Sequence, residues 1–411
     1  MVKYQGIFIK IISFILTLVI VFLQEGFSYY VSFQVLGLVL ITILLIFSKS
    51  KISLSLNFLF SYIMLIGFIV ISSLLLPEAI SRNSSNIFFT VIAICTYAFI
   101  ILAFMNLHIK RLDIVLRVLY NVSVSVIVIL SSLLFLSDLN LLPFLSREAF
   151  LIQNTDLITN FRAIDMLEQH FMTGLVVGND LFYGEPSYLG LVFFVCISCY
   201  MFISKLLLFY NLGSFAISKY YNYIVALSIV SLFYIDSFSS IIYGFIVTLS
   251  VIKNTHKSRA FLAGKKYLAL PLATATLFIF GNYEYLFDRI LTLQDSLSLF
   301  QRFGSLLDLT FIDFMFGLHD TSRMPEEGFH NGFFYIIAIS GIAGINFLFY
   351  ILHTAYLQSK NFNIHILISL ILLAIIMQNG AIFSPNKLVL FSLILLPVSC
   401  SKILKNRHPV L

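Results

Sequence analysis

Apolar residues run through this chain in blocks of roughly 20, the length a helix needs to cross hydrocarbon, rather than alternating with polar ones. Such blocks, parted by short polar breaks, predict membrane-spanning helices, because backbone groups in lipid must be satisfied within their own segment. About twelve spans are expected, at 6–24, 29–48, 52–76, 87–107, 115–136, 183–208, 220–235, 238–252, 267–281, 331–357, 363–380 and 387–403. The seventh and eighth are short and parted only by Asp236 and Ser237. The first follows Lys3 and precedes no small-residue cleavage pattern, which predicts a retained helix and no removable signal peptide. The expected fold is therefore all-α: a polytopic integral membrane protein, one transmembrane domain over residues 1–411, with two long external loops at 137–182 and 282–330.

Loops of that length are functional or disordered. Both carry helical spacing: FRAIDMLEQHF sets Phe161, Ile164, Leu167 and Phe171 near one face, and SLSLFQRFGSLLDLTFIDFMFG sets Leu299, Phe303, Leu306 and Leu307 beside Arg302 and Asp308. Each loop is expected to lay a short helix on the outer membrane surface.

Composition reinforces this picture. A chain that is 60% hydrophobic and 11% charged, with mean hydropathy +1.00, has too few polar groups to clothe itself in water. Charge adds orientation. With the N-terminus inside, alternate connections collect most of the lysines, from Lys49, Lys51 and Lys110 to Lys402 and Lys405, as the positive-inside rule requires. The other face receives every acidic residue except Asp113, and its seven cations are Arg82, Arg147, Arg162, Arg289, Arg302, Arg323 and Lys387. Six of those seven are arginine, whose planar fork binds phosphate in two-pronged fashion or pairs with neighbouring carboxylates. The net charge of +6 thus reflects topology and attraction to anionic lipid, with no bearing on nucleic acid. Both termini are expected in the cytoplasm.

The four cysteines fall in expected spans, and the Cys196/Cys199 spacing sits inside an apolar helix with no second ligand pair, so neither a disulfide framework nor a metal centre is expected. Asp308 and Asp313 are too far apart to share an ion on one helical face, and no other acidic cluster argues for a metal. No cofactor is expected. Tyr29, Tyr30, Tyr188, Tyr220 and Tyr221 are placed to form an interfacial belt.

Where the first long loop meets its following helix, GEPSYLG puts Glu185 and Pro186 at the membrane threshold. An inward-running helix points its partly positive end outward; Pro186 suits the first helical position, and a carboxylate at 185 is stabilised there. Glu185 is thus a cap, or a group that orients an arginine or a sugar hydroxyl. The placement recurs: Asp236 and Ser237 precede the eighth span, Glu327, His330 and Asn331 the tenth, and Ser384, Pro385 and Asn386 the twelfth. Several amino-terminal helix ends, which bind anions, would converge at one external depth.

Two arginine-bearing external loops, GEPSYLG, DSFSS at a helix turn and GFHNGFFYIIAISGIAG closing the second loop together resemble the bacterial O-antigen polymerases and the related O-antigen ligases. The likeness covers most of the chain, and its most specific parts lie between about Asn160 and Gly344. It implies a glycosyltransferase of the bacterial inner membrane, active on the periplasmic side, that uses a sugar chain on undecaprenyl diphosphate as donor and builds O-antigen or capsular polysaccharide. A chain-length regulator is the protein partner it allows. The arginine that such enzymes need in each loop maps by position onto Arg162 and Arg302, and their histidine onto His330. Arg162 and Arg302 would stabilise the departing diphosphate, His330 would deprotonate the acceptor hydroxyl, and Glu185 would support them. Arg289, Arg323, Tyr188 and Asn331 complete the expected substrate-binding set. A ligase acting on lipid A core would share this chemistry. A lipid-linked oligosaccharide flippase would instead need polar groups near the midplane and internal repeats, and the sequence displays neither.

Overall fold

In the computed structural model the described residues are 2–23, 26–28, 31–75, 87–138, 186–210, 221–235, 237–255, 310–318, 332–378 and 382–407. They form an all-α bundle. Its helices are α1 (Val2–Val21), α2 (Phe33–Phe47), α3 (Leu56–Leu75), α4 (Ile87–Met105), α5 (Leu112–Asp138), α6 (Pro186–Phe209), α7 (Tyr221–Tyr234), α8 (Phe238–Thr255), the short α9 (Phe311–Phe316), α10 (Gly332–Ser359), α11 (His365–Met377) and α12 (Pro385–Arg407). Six helices are long and apolar enough to cross a membrane, and α1, α2, α7, α8 and α11 are shorter apolar helices. Eleven of the twelve expected spans thus coincide with helices among the described residues; the ninth, at 267–281, lies outside them. The short seventh and eighth, expected at 220–235 and 238–252, fold as α7 and α8 with only 235–237 between them.

Two small ribbons complete the fold. β1 (Gly26–Ser28) pairs antiparallel with β2 (Val31–Ser32), between α1 and α2. β3 (Lys51–Ile52) pairs antiparallel with β4 (Leu107–His108), Lys51 opposite His108, and so joins the α2–α3 and α4–α5 connections. The Arg111 backbone N–H donates to Ser48 O at 3.1 Å beside that ribbon. On the same end, Lys205 Nζ donates to Phe362 O at 3.1 Å and Ser401 Oγ to Gln358 O at 3.2 Å. At the opposite end, Gln378 Nε2 donates to Ser187 Oγ at 3.3 Å and Ser72 Oγ to Phe316 O at 3.4 Å. These contacts sort the helix ends into the two groups that alternating crossings require. Lys49, Lys51, Lys110, Arg111, Lys205, Lys360, Lys402 and Lys405 gather at the first; the starts of α6, α8 and α12 gather at the second.

The bundle is layered. α6 and α12 form its centre, with 94% of the apolar stretch of each buried, against 28% for α3 and 33% for α4 at the periphery. α6 packs on α5, α7, α8, α11 and α12; α12 packs in turn on α2, α4, α10 and α11. Peripheral helices turn large apolar side chains outward, among them Leu56, Phe88 and Phe89. Several helix-borne hydroxyls are satisfied locally: Thr17, Ser228, Thr248 and Ser340 each donate to the carbonyl four residues back.

Two expectations need correcting. The tenth span is not one continuous helix. At Gly341 the backbone takes φ 52° and ψ −134°, close to a region open to glycine alone, so α10 is two limbs, 332–340 and 342–359. The second limb, at 1.5 Å per residue, is about 27 Å long, most of the roughly 30 Å hydrocarbon core. Nor do Tyr188 and Tyr221 belong to a lipid-facing belt: each is 5% exposed, and Tyr221 stacks on Tyr200 at 5.4 Å within the core. An aromatic ring gains more from packing in a helix seam than from hydrocarbon of equal polarity.

Candidate functional site

The described parts of GEPSYLG and DSFSS, 186–190 and 237–240, meet at the second end of the bundle. Pro186 is the first residue of α6, as its missing N–H and fixed φ favour. One turn later Gly190 faces Ser240 of α8 so closely that a Cβ at 190 would lie 2.0 Å from Ser240 Oγ and 3.2 Å from its Cα. The seam continues as Phe194 stacks on Tyr243, centroids 4.6 Å apart and planes within 5°. At the head of α8, Ser237 and Ser239 exchange a 3.1 Å hydroxyl contact.

The same first turn of α6 faces the α11–α12 connection. Gln378 caps α11, its N–H donating to Ala374 O, while its side chain donates to Ser187. Its carbonyl accepts from Lys387 Nζ at 2.7 Å. Lys387, on the first turn of α12, is 1% exposed, and its own backbone N–H donates to Asn386 Oδ1 at 2.8 Å. Phe383, in the connection, meets Phe347 of the second limb of α10 at 5.7 Å. A polar chain thus links the starts of α12 and α6 through the end of α11.

The third motif is built around the joint in α10. Breaking the helix at Gly341 leaves the Ala338 carbonyl to accept from the Leu318 N–H at 2.8 Å, so the segment after α9 docks on the joint. A Cβ at 341 would fall 2.5 Å from Met315 O and 2.7 Å from Gly317 N. α9 is closed at both ends: Thr310 and Asp313 form a capping box, with Asp313 Oδ2 accepting from Thr310 N at 2.9 Å and Thr310 Oγ1 at 2.6 Å, and Gly317 ends it with φ 94°. Phe316 stacks on Phe68 of α3 at 6.3 Å. The outward-turned residues of α9 are apolar, Phe311 and Phe316 being 77% and 57% exposed. The short helix 311–316 lies at the end of the stretch in which a surface helix is expected; the residues that carry that expectation, Leu299, Arg302, Phe303, Leu306, Leu307 and Asp308, lie outside the described residues.

Of the expected site residues, only Tyr188 is described, and it is buried in the first turns of α6. Arg162, Arg289, Arg302, Arg323, Glu185, His330 and Asn331 lie outside the described residues, as do Tyr29, Tyr30, Tyr220 and the helix expected around Phe161. In the chain, Glu185 directly precedes Pro186, and His330 stands two residues before the first limb of α10. The joint inserts nine helical residues, 332–340, between that limb's start and Gly341. Cys196, Cys199 and Cys400 are buried free thiols, and the described residues hold no cluster of three metal-ligating side chains.

Sequence reasoning missed two buried ionisable side chains. Among the described residues the charged side chains that are fully buried are Asp313, 0% exposed, and Lys387, 1% exposed, and both sit at the motif-bearing end. Two signals pointed to them. T-x-x-D at Thr310 is a capping-box pattern. Lys387 is the one lysine among seven external cations, and it stands in the first turn of a helix, where positive charge is disfavoured. Comparisons with family models, curated proteins and solved structures find no match to the chain.

Proposed function

We propose that this protein is a glycosyltransferase of the bacterial cytoplasmic membrane that polymerises undecaprenyl-diphosphate-linked oligosaccharide repeat units, at the external face, into O-antigen or capsular polysaccharide. The observation that carries the reading is convergence. The described parts of GEPSYLG and DSFSS and the Gly341 joint of the third motif occupy one end of the bundle with both fully buried ionisable side chains of the described residues, Asp313 and Lys387, while Lys49, Lys51, Lys110, Lys205, Lys360, Lys402 and Lys405 occupy the other. A transporter is less well supported, because its ionisable groups belong near the midplane on a path between the two faces.

Glycosyl transfer from a lipid diphosphate needs two things: a place for departing negative charge and a base for the acceptor hydroxyl. A hydroxyl oxygen of one lipid-linked unit attacks the anomeric carbon of another. The bond from that carbon to the diphosphate oxygen breaks, and undecaprenyl diphosphate leaves. Arg162 and Arg302 hold the diphosphate as planar forks, with Arg289 and Arg323 supplying further positive charge. His330, with an unperturbed pKa near 6.5, takes the acceptor proton at neutral pH. Glu185, at the head of α6, orients an arginine or a sugar hydroxyl. Donor and acceptor glycans meet on the water side of the same helix ends, each anchored in the membrane by its lipid.

A deletion strain tests this. Loss of a polymerase leaves a single repeat unit on the surface lipid, resolved as one band on a gel in place of a ladder, and a plasmid copy restores the ladder. Complete absence of attached glycan would make the protein a ligase, and donor accumulating in the cytoplasm would make it a flippase.

A further inference from the structure

Lys387 is in an unfavourable place. The first turn of α12 presents the positive end of the helix dipole, and the side chain is 1% exposed, so the ammonium is opposed by both field and desolvation. An ionisable side chain kept inside a membrane bundle at such cost marks a functional site, with its partner as the guide. One partner is the carbonyl of Gln378, 2.7 Å from Nζ, at the carboxyl end of α11, where backbone oxygens carry partial negative charge. The side chain of Gln378 reaches the other way, to Ser187 on the first turn of α6. Gln378 is thus held from behind by the lysine and holds the head of α6 in front, two residues from Glu185.

We infer that Lys387 is a positioning residue for the lipid-diphosphate site: through Gln378 and Ser187 it fixes the head of α6, beside the helix ends to which the anionic donor group is assigned. This deepens the polymerase reading and rests on it for the identity of the donor. Removing the amine would free the Gln378 carbonyl and loosen the tie to Ser187, so a clamp that only joins α11 to α12 and one that also sets the head of α6 predict different donor binding. Three variants separate these roles. Lys387→Met keeps the stem and removes the amine, Lys387→Arg keeps a donor on a larger head, and Ser187→Ala cuts the link from Gln378 to α6.

The test measures equilibrium binding of undecaprenyl diphosphate to the purified full-length protein by native mass spectrometry, and the KM for lipid-linked repeat unit in proteoliposomes, both at matched amounts of monodisperse protein. Lys387→Met should weaken undecaprenyl diphosphate binding and raise KM by about ten-fold or more, the scale of misplacing a binding group from a distance, with kcat changed less. Ser187→Ala should move both the same way by a smaller factor, and Lys387→Arg should recover part of the loss. Wild-type binding in Lys387→Met overturns the inference. Should that variant fail to fold, Lys387→Arg and Ser187→Ala decide, and wild-type binding in both overturns it. A wild-type protein that binds the lipid diphosphate but forms no polymer would refute the polymerase reading alone, while the binding ratio between wild type and Lys387→Met would still decide the role of the lysine.

Discussion

Replacing Gly190 by alanine tests whether the motif helices α6 and α8 meet where the structure joins them. The added Cβ would lie 2.0 Å from Ser240 Oγ, 2.8 Å from its Cβ and 3.2 Å from its Cα. Rotation about χ1 of Ser240 relieves the first contact only. The other two fall short of the roughly 3.5–4.0 Å of a relaxed carbon pair, so the helices must separate by about 0.5 Å. The separation reaches the Phe194–Tyr243 stack one turn away, because a gap of that size already forfeits about a quarter of each dispersion contact. Overpacking of this kind costs ~1–3 kcal/mol. Trp is absent, so unfolding is best followed with a thiol-reactive maleimide dye as heating unmasks Cys196, Cys199 and Cys400. Gly190→Ala should unfold several degrees below wild type in detergent, and adding Ser240→Gly should restore much of the loss by removing Oγ and Cβ. Equal unfolding temperatures for Gly190→Ala and wild type, or no coupling between the two substitutions, would refute the close approach and with it the juxtaposition of GEPSYLG and DSFSS.

At Gly341 an alanine would incur a left-handed backbone penalty of ~1–2 kcal/mol on top of a Cβ 2.5 Å from Met315 O. The expected outcome is release of the 310–318 segment, read as faster proteolysis between α9 and α10 at an unchanged oligomeric state. Alanine at Arg162 or Arg302 should abolish polymer while the protein stays in the membrane, and lysine should rescue poorly because it keeps charge but loses the fork; full activity in both alanine variants removes them from the mechanism. His330→Asn should slow polymerisation by roughly 10²–10⁴-fold with donor binding preserved, and a near-normal rate at matched protein levels would return His330 to a structural role and make Glu185 or Glu327 the next base to test.

Much of this architecture was legible in one dimension. Run length located the helices, Pro186 marked the first residue of α6, and the partition of lysines from acids anticipated which helix ends group together. What stayed hidden has a common cause. Hydropathy reports transfer from water and is blind to whether an apolar face meets lipid or another helix, since the two are equally apolar. Hence α4, as apolar as α6, is largely peripheral while α6 is central, and the tyrosines expected in the belt at 188 and 221 are packed inside. The Gly341 joint lay in a span whose apolar run is continuous across it; only the backbone angles divide it. Lys387 was counted as an external surface charge because sequence carries no burial, although its solitary place among the arginines set it apart. Legibility of the site was narrower still. The chemistry of phosphate binding suggested arginines by type and loop, whereas the polar chain from Lys387 through Gln378 to Ser187 joins residues 191 and nine positions apart, a separation no local pattern encodes.

Reconstitution tests the central claim most directly. Purified protein in proteoliposomes is supplied with undecaprenyl-diphosphate-linked repeat unit extracted from the native strain, and products are resolved by mass spectrometry. The account predicts dimers and longer oligomers of the repeat on undecaprenyl diphosphate, with one free undecaprenyl diphosphate released for each repeat joined, and neither product from the Arg162→Ala/Arg302→Ala protein. Intact donor after incubation with folded wild-type protein, or release of undecaprenyl diphosphate without any lengthened glycan, would contradict it.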